Sequence, residues 1–303
     1  MEIELVCEGL LFPEGPIALA DGAILVVEIK RGTLTLVTPE DGVCEPIAKL
    51  GGGPNGAAIG PDGAVYVCNN GGSFAWAPGD LHVPGDKPGP YAGGSIQRVD
   101  LRTGAFTTLY DRCDGKLLNG PNDIVFDDTG GFWFTCQGVS DGEMRRLGGV
   151  YYARADGSKI TRVRHGQISP NGIGLSPDGK TVYWADTQLG RLWAMDLDGP
   201  GQPAPSEPHI PARVVANMPG LQWFDSLAVE ASGKVCVATL LNGGITTVDP
   251  SGSFEHTAFP DILTTNICFG AADMRTAWVT CSSTGKLYQC RWPRPGLKLA
   301  FNA

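Results

Sequence analysis

The chain has 303 residues and a net charge of −9, from 23 Lys and Arg against 32 Asp and Glu. That sign argues against nucleic acid and anionic membranes, both of which attract basic patches. No uninterrupted apolar run is longer than five residues, as in Ala23–Val27, so a transmembrane helix is excluded.

Gly and Pro, 43 and 23 residues, make up roughly a fifth of the chain and are spread from end to end. Average usage is nearer about 12%, so this chain turns often. None of the nine cysteines sits in a Cys-x-x-Cys pair, and Cys68, Cys136, Cys236, Cys268, Cys281 and Cys290 fall in strand-like runs. They are expected as free thiols packed like small hydrophobes. Met1–Gly9 has neither the basic nor the apolar stretch of a secretory leader. Together these features predict a cytoplasmic protein.

In chain order, the alternating segment Glu2-Ile3-Glu4-Leu5-Val6 predicts a strand. The first repeat follows, with Asp21-Gly22 as a turn, Ile24–Glu28 as a strand and a third strand opening near Gly32. The second has Asp62-Gly63, Val65–Asn69, a third strand near Gly94 and a polar fourth over Phe106–Tyr110. Thr129-Gly130 then leads into Phe132–Cys136, Gly149 and Ile160–Arg164. Asp178-Gly179 leads into Val182–Asp186, Gly190 and Ala212–Ala216. Ser232-Gly233 precedes Val235–Thr239 and Gly244. A degenerate sixth copy has Asp273-Met274, Trp278–Cys281 and Gly285. Asp-Gly between apolar runs is a hairpin signal.

Six units of four antiparallel strands predict an all-β fold, a six-bladed β-propeller spanning 1–303 as one domain. The last repeat has no room for a fourth strand after Cys290-Arg291-Trp292-Pro293, so the N-terminal strand is expected to close the ring.

Seven residues before each turn stand Glu14, Asn55, Asn122, Asn171, Asp225 and Asn266. Every one is Glu, Asp or Asn. In a propeller the innermost strands start beside the central channel, so equivalent positions form a ring around the axis. Local turn hydrogen bonds would explain such a residue at any one blade. They do not explain two carboxylates, Glu14 and Asp225, among neutral amides. Unpaired, these carboxylates would repel each other and lose solvation. A divalent cation removes both problems, and the hard oxygen set suits Ca²⁺, Mg²⁺ or Mn²⁺, with Zn²⁺ and Fe²⁺ also compatible.

The runs Phe12-Pro13-Glu14-Gly15-Pro16 and Pro121-Asn122-Asp123, with Phe132-Trp133-Phe134-Thr135, resemble the SMP-30/gluconolactonase family. So does Pro170-Asn171-Gly172-Ile173-Gly174-Leu175-Ser176-Pro177-Asp178-Gly179-Lys180-Thr181-Val182-Tyr183. The resemblance implies a propeller with one divalent ion per chain in its channel, calcium foremost, hydrolysing lactones of sugar acids. It implies Glu14, Asn171 and Asp225 as metal ligands, and Asn122 as either ligand or substrate contact. Departures fall on the substrate side. Gly120 stands where animal members carry an Arg, Arg145 falls near their lactone-contacting Glu, and Ile17 replaces a frequent Trp.

The expected reaction has the metal polarising a lactone carbonyl and acidifying a water, with Asp225 as general base. Asn55, Asn122, Arg145 and Trp76 are the expected substrate contacts, with Arg146 an alternative to Arg145. The longest insertion, Gly71 through Gly93, carries Trp76 and is expected as a lid or pocket wall. A second insertion, Asp198–Pro211, reads as a plain surface loop.

Trp223-Phe224 is either a pocket floor or blade packing. His82, His165, His209 and His256 are scattered, with His165 alone expected near the channel mouth. No Gly-x-Ser-x-Gly elbow is present, and Gly51-Gly52-Gly53-Pro54-Asn55-Gly56 lacks the Lys of a P-loop. Phosphotriester hydrolysis is the alternative chemistry. A non-catalytic binding platform is the alternative from outside catalysis, but it needs no polar axial ring.

Overall fold

The computed structural model describes residues 1–86, 90–207, 210 and 212–301. Six antiparallel sheets, five of four strands and one of five, stand around a closed ring. Blade 1 is Pro13–Ala18, Ile24–Glu28, Thr33–Thr38 and Val43–Lys49. Blade 2 is Pro54–Ile59, Val65–Asn69, Ser95–Val99 and Phe106–Tyr110. Blade 3 is Pro121–Phe126, Gly131–Cys136, Gly148–Arg154 and Ile160–Gln167. Blade 4 is Pro170–Leu175, Thr181–Asp186, Arg191–Gly199 and Arg213–Asn217. Blade 5 is Trp223–Val229, Val235–Leu240, Gly244–Val248 and Phe254–Ala258.

Blade 6 takes Thr264–Gly270, Thr276–Cys281 and Lys286–Arg291 from the end of the chain, and Ile3–Cys7 from its start. Ile3 pairs opposite Cys290, so the expected ring closure is present. The closure leaves the innermost strands of neighbouring blades in contact all the way round.

The sequence pattern explains the radial order. Second strands such as Ile24–Glu28 are apolar runs buried on both faces, because each lies inside its sheet with blades on either side. Outer strands such as Phe254–Ala258 are largely exposed and more polar. Apolar side chains of adjacent blades interlock, as where Tyr66, Phe126, Phe132 and Phe134 join blades 2 and 3.

The repeated Asp of the turns has a local cause. Asp21, Asp62 and Asp178 each accept the backbone N–H two residues on, at 3.1, 3.2 and 3.1 Å. In the sixth copy Asp273 does the same, and Met274 adopts the left-handed φ of 55° that Gly takes elsewhere. Among the described residues no helix is long and apolar enough to cross a membrane. All nine cysteines are unpaired, and most are buried.

The second insertion is more ordered than expected, because Arg191–Gly199 runs on to pair with Gln202–Pro203. His209 lies outside the described residues.

Candidate active site

Each innermost strand is bulged at its start. Pairing with the second strand skips from Glu14 to Ile17, from Pro54 to Ala57 and from Pro121 to Ile124. It skips likewise from Pro170 to Ile173, from Phe224 to Leu227 and from Thr264 to Asn266. A bulge bends the strand and re-aims a side chain. The residue after the axial one then presses on the next blade. A Cβ on Gly15 would come within 2.6 Å of the Asn55 carbonyl oxygen, and one on Gly56 within 2.5 Å of the Asp123 Cα.

Glu14, Asn55, Asn122, Asn171 and Asp225 line one cleft of about 490 Å³. Asn266 lies on the other side of that floor, in a narrow continuation of the channel that Leu297 and Leu299 help to close. Its Nδ2 donates to Glu14 Oε2 at 2.7 Å, and the Gly15 N–H donates to the same oxygen at 2.5 Å. Glu14 Oε1 and Asn122 Oδ1 are buried with no hydrogen-bond partner among the described residues. Asn171 Nδ2 donates to Thr187 Oγ1 at 3.0 Å, while its Oδ1 receives only Ser226 Oγ at 3.4 Å.

A third acid lies just beyond the floor, in the same channel continuation as Asn266. Asp123 occupies the position where blades 1, 2 and 4 carry Gly15, Gly56 and Gly172. Its carboxylate accepts the N–H groups of Ile124 at 2.9 Å and of Ile173, on the next blade, at 3.0 Å. Burial pushes Asp123 up to about 7 despite those bonds. Burial likewise pushes Asp225 up to about 7, with the Asp123 charge adding to it and the Asn171 amide opposing it. Glu14 is held well above the usual carboxylate range by burial first, then by the charges of Asp225 and Asp123.

Among the described residues no three or more His, Cys, Asp or Glu form a metal-binding group. An ion at this floor would therefore draw on amide oxygens as well as carboxylates.

The profile of the SMP-30/Gluconolactonase/LRE-like region matches residues 12–283. The chain belongs to this family. It is 25% identical over 223 residues to a gluconolactonase of Zymomonas mobilis, covering 66% of this chain and 56% of that protein. It is 29% identical over 252 residues to lactonase drp35 of Staphylococcus saprophyticus, covering 82% of this chain and 68% of that one. The match thus spans little more than half of the Zymomonas relative's length. Regucalcin of Agrobacterium tumefaciens, a calcium-binding protein, has the same fold. Its TM-score is 0.76 at 20% identity, with 98% of each chain covered.

Around the floor of this SMP-30-family propeller, the other expected residues take different places. Arg145 lines the cleft from a two-residue strand paired with Val139–Ser140, and its guanidinium donates to the carbonyls of Ile168 and Gln137, each at 2.8 Å. Arg146, next on that strand, lines a separate groove with His165. His165 is thus on the outermost strand of blade 3, away from the channel mouth where it was expected. His82 meets Lys30 Nζ at 3.1 Å, and His256 meets Thr246 Oγ1 at 3.0 Å.

The long insertion is a wall, as its length implied. Its hairpin of Phe74–Trp76 and Pro84–Asp86 reaches across blade 1, where the His82 N–H donates to the Ser283 carbonyl of blade 6 at 2.8 Å. Phe74, Val83 and Pro84 line the cleft. Trp76, expected as a substrate contact, instead stands one layer behind, packed on Phe12 at 5.2 Å between ring centres, with Lys30 Nζ 5.6 Å from its ring. Trp223 lines the cleft, whereas Phe224 is fully buried in blade packing. Sequence reading missed Asp123, whose only signal was a carboxylate where three other blades have Gly.

Proposed function

We propose that this chain is a divalent-metal-dependent hydrolase that opens lactone rings. The observation carrying the reading is the pair of orphaned buried oxygens, Glu14 Oε1 and Asn122 Oδ1, on residues that share a cleft with Asp225. A buried acceptor without a partner costs about 1–3 kcal/mol, more when charged, and a cation removes that cost. Glu14, Asn171 and Asp225 would hold the ion, with Asn122 as a fourth ligand or a substrate contact. The bond from Asn171 Nδ2 to Thr187 fixes which way the amide faces and leaves Oδ1 open to coordinate.

Bound there, the ion supplies Lewis acidity at the lactone carbonyl. Asp225 accepts a proton from the attacking water as the water oxygen bonds to the carbonyl carbon. The ring C–O bond then breaks, and the same proton returns to the departing ring oxygen. Lactone and water become one hydroxy acid. Asn55 and Arg145 orient the substrate. Arg145 has five N–H donors and gives two of these bonds to carbonyls, so donors remain for a substrate oxygen.

The names of the Zymomonas and Staphylococcus relatives support a lactone, and the family resemblance supports a sugar-acid lactone as the first substrate to try. Calcium leads among the ions because every donor is a hard oxygen and the regucalcin neighbour binds calcium. Nine unpaired thiols suit a reducing compartment such as the cytoplasm.

The test is a pH-indicator assay on chelated protein, reconstituted separately with Ca²⁺, Mg²⁺, Mn²⁺, Zn²⁺ and Fe²⁺, over several lactones and one phosphotriester. Lactone turnover restored by one ion per chain is the expected result. Full activity in metal-free protein would overturn the metal claim. A phosphotriester turned over faster than every lactone would replace the substrate class, and no turnover at all would favour the platform reading.

A further inference from the structure

We propose that this cleft selects lactones whose ring carries an apolar substituent, over fully hydroxylated rings. The inference rests on the lactonase reading and concerns the walls rather than the floor. The side chains around the cleft divide by blade. Blades 3 and 4 contribute a polar arc that includes Gln137, Ser140, Arg145, Ser169 and Gln188.

Blades 5, 6 and 1 contribute Trp223, Leu240, Leu241, Ile262, Phe12 and Ile29. The blade 2 hairpin lays Phe74 and Val83 beside them. Phe12, Ile29 and Leu263 pack as one cluster with Phe74, Trp76 and Leu240, so this apolar arc is continuous across four blades.

Two features mark the arc as a binding surface rather than spare core. Its rim is open to solvent, with Trp223 37%, Leu241 38% and Ile262 53% exposed. A cluster of exposed large apolar side chains at a concave site marks a place for an apolar ligand. The backbone is also strained to present it. Phe12 and Leu241 hold left-handed φ values of 59° and 71°, a region unfavourable for bulky residues. Glycine would relieve that strain but remove the side chain from the wall.

A polyhydroxylated ring placed at the floor would turn some hydroxyls toward this arc, where they find no partner. A ring with an alkyl or aryl arm directs its ester oxygens to the floor and Arg145, and its arm to the apolar side. The chemistry is unchanged: water adds to the carbonyl carbon and the ring C–O bond breaks, giving a hydroxy acid with the arm on its hydroxyl-bearing carbon.

The experiment compares six-membered lactones of growing arm length, from δ-valerolactone through δ-hexalactone and δ-octalactone to δ-decalactone, with glucono-δ-lactone, on the metal-loaded protein. The expected kcat/KM rises by about fourfold per methylene buried until the arc is filled. A flat series with glucono-δ-lactone preferred overturns the inference and leaves the lactonase reading intact. If no lactone is turned over, the lactonase reading fails, and calorimetry with the ring-opened products decides this inference alone. Tighter binding of 5-hydroxydecanoate than of gluconate, with a negative heat-capacity change, supports it; equal binding overturns it. In Ile262→Asn, checked for a native thermal transition, the dependence of kcat/KM on arm length should flatten.

Discussion

Asn266 Nδ2 donates to Glu14 Oε2 at 2.7 Å across the seam where blade 6 meets blade 1. The bond joins residues 252 positions apart and leaves the other carboxylate oxygen buried and unpaired at the cleft floor. A side chain that bridges the blade 6–blade 1 seam therefore also aims the proposed metal ligand.

Asn266→Ala should show this. Without the amide, Glu14 Oε2 keeps only the Gly15 N–H, and the carboxylate can rotate. Loss of such a supporting bond typically weakens metal affinity about 10- to 100-fold. Titration calorimetry with Ca²⁺ on a variant of normal secondary structure measures it. Unchanged affinity with a lowered melting temperature would make Asn266 a seam bond only.

The floor acids give a pH dependence of definite sign. Asp123 and Asp225 rise from an ordinary 3.8 to about 7, so the folded protein holds their protons more tightly than the unfolded chain. As pH rises from about 4 to about 7, these groups make the metal-free protein less stable, because the unfolded chain releases its protons first. A divalent ion neutralises the charges and must displace those protons to bind. The melting-temperature gain from added Ca²⁺ should therefore grow as pH is raised from 5 to 8. A gain that stays constant with pH would show that no raised carboxyl takes part in binding.

The floor was legible in the sequence because the repeat is strict. Each axial residue precedes its turn by the same interval, and the bulge at every strand start turns that interval into a common direction for five of the six, Asn266 facing the other side of the floor. Asp123 was not legible, because its carboxylate matters through the Ile173 N–H of the next blade, 50 residues away. His165 misled for a related reason. Closeness to Asn171 in sequence crosses the step from an outermost strand to the next innermost one, which is the full width of a blade. The apolar arc was hidden because Phe12, Phe74, Leu241 and Ile262 come from separate loops with no common motif. Only ring closure gathers them.

Trp76→Ala tests the wall from behind. The ring braces Phe12 and Lys30 without lining the cleft, so its loss should loosen the hairpin and leave the floor untouched. Aromatic pairs contribute about 0.5–1.5 kcal/mol, which sets the expected rise in KM at about two- to tenfold. Steady-state kinetics beside calcium titration separates the two effects. A loss of ion affinity equal to the loss of activity would mean that the hairpin supports the floor itself.

Asp225 is assigned two tasks, ligand and proton acceptor, and Asp225→Asn separates them. The amide keeps the shape and one oxygen donor but removes a charge and the basic site. Glu14, Asn122 and Asn171 remain, so ion binding should weaken yet saturate at high metal concentration. Loss of general-base action alone costs about 10²–10⁴ in rate, and raising the metal cannot restore it. Asn171→Ala removes a neutral donor instead, so activity lost through poor occupancy should return as metal is added. The measurement is kcat against metal concentration for both variants, with occupancy checked by elemental analysis. A metal-saturated Asp225→Asn protein that runs near the wild-type rate would leave Asp225 a ligand only. His165 could not then inherit the role from its groove on blade 3. Nor could Asp123, which lines the channel beyond the floor and accepts two backbone N–H groups. Glu14 would be the acid left in the cleft.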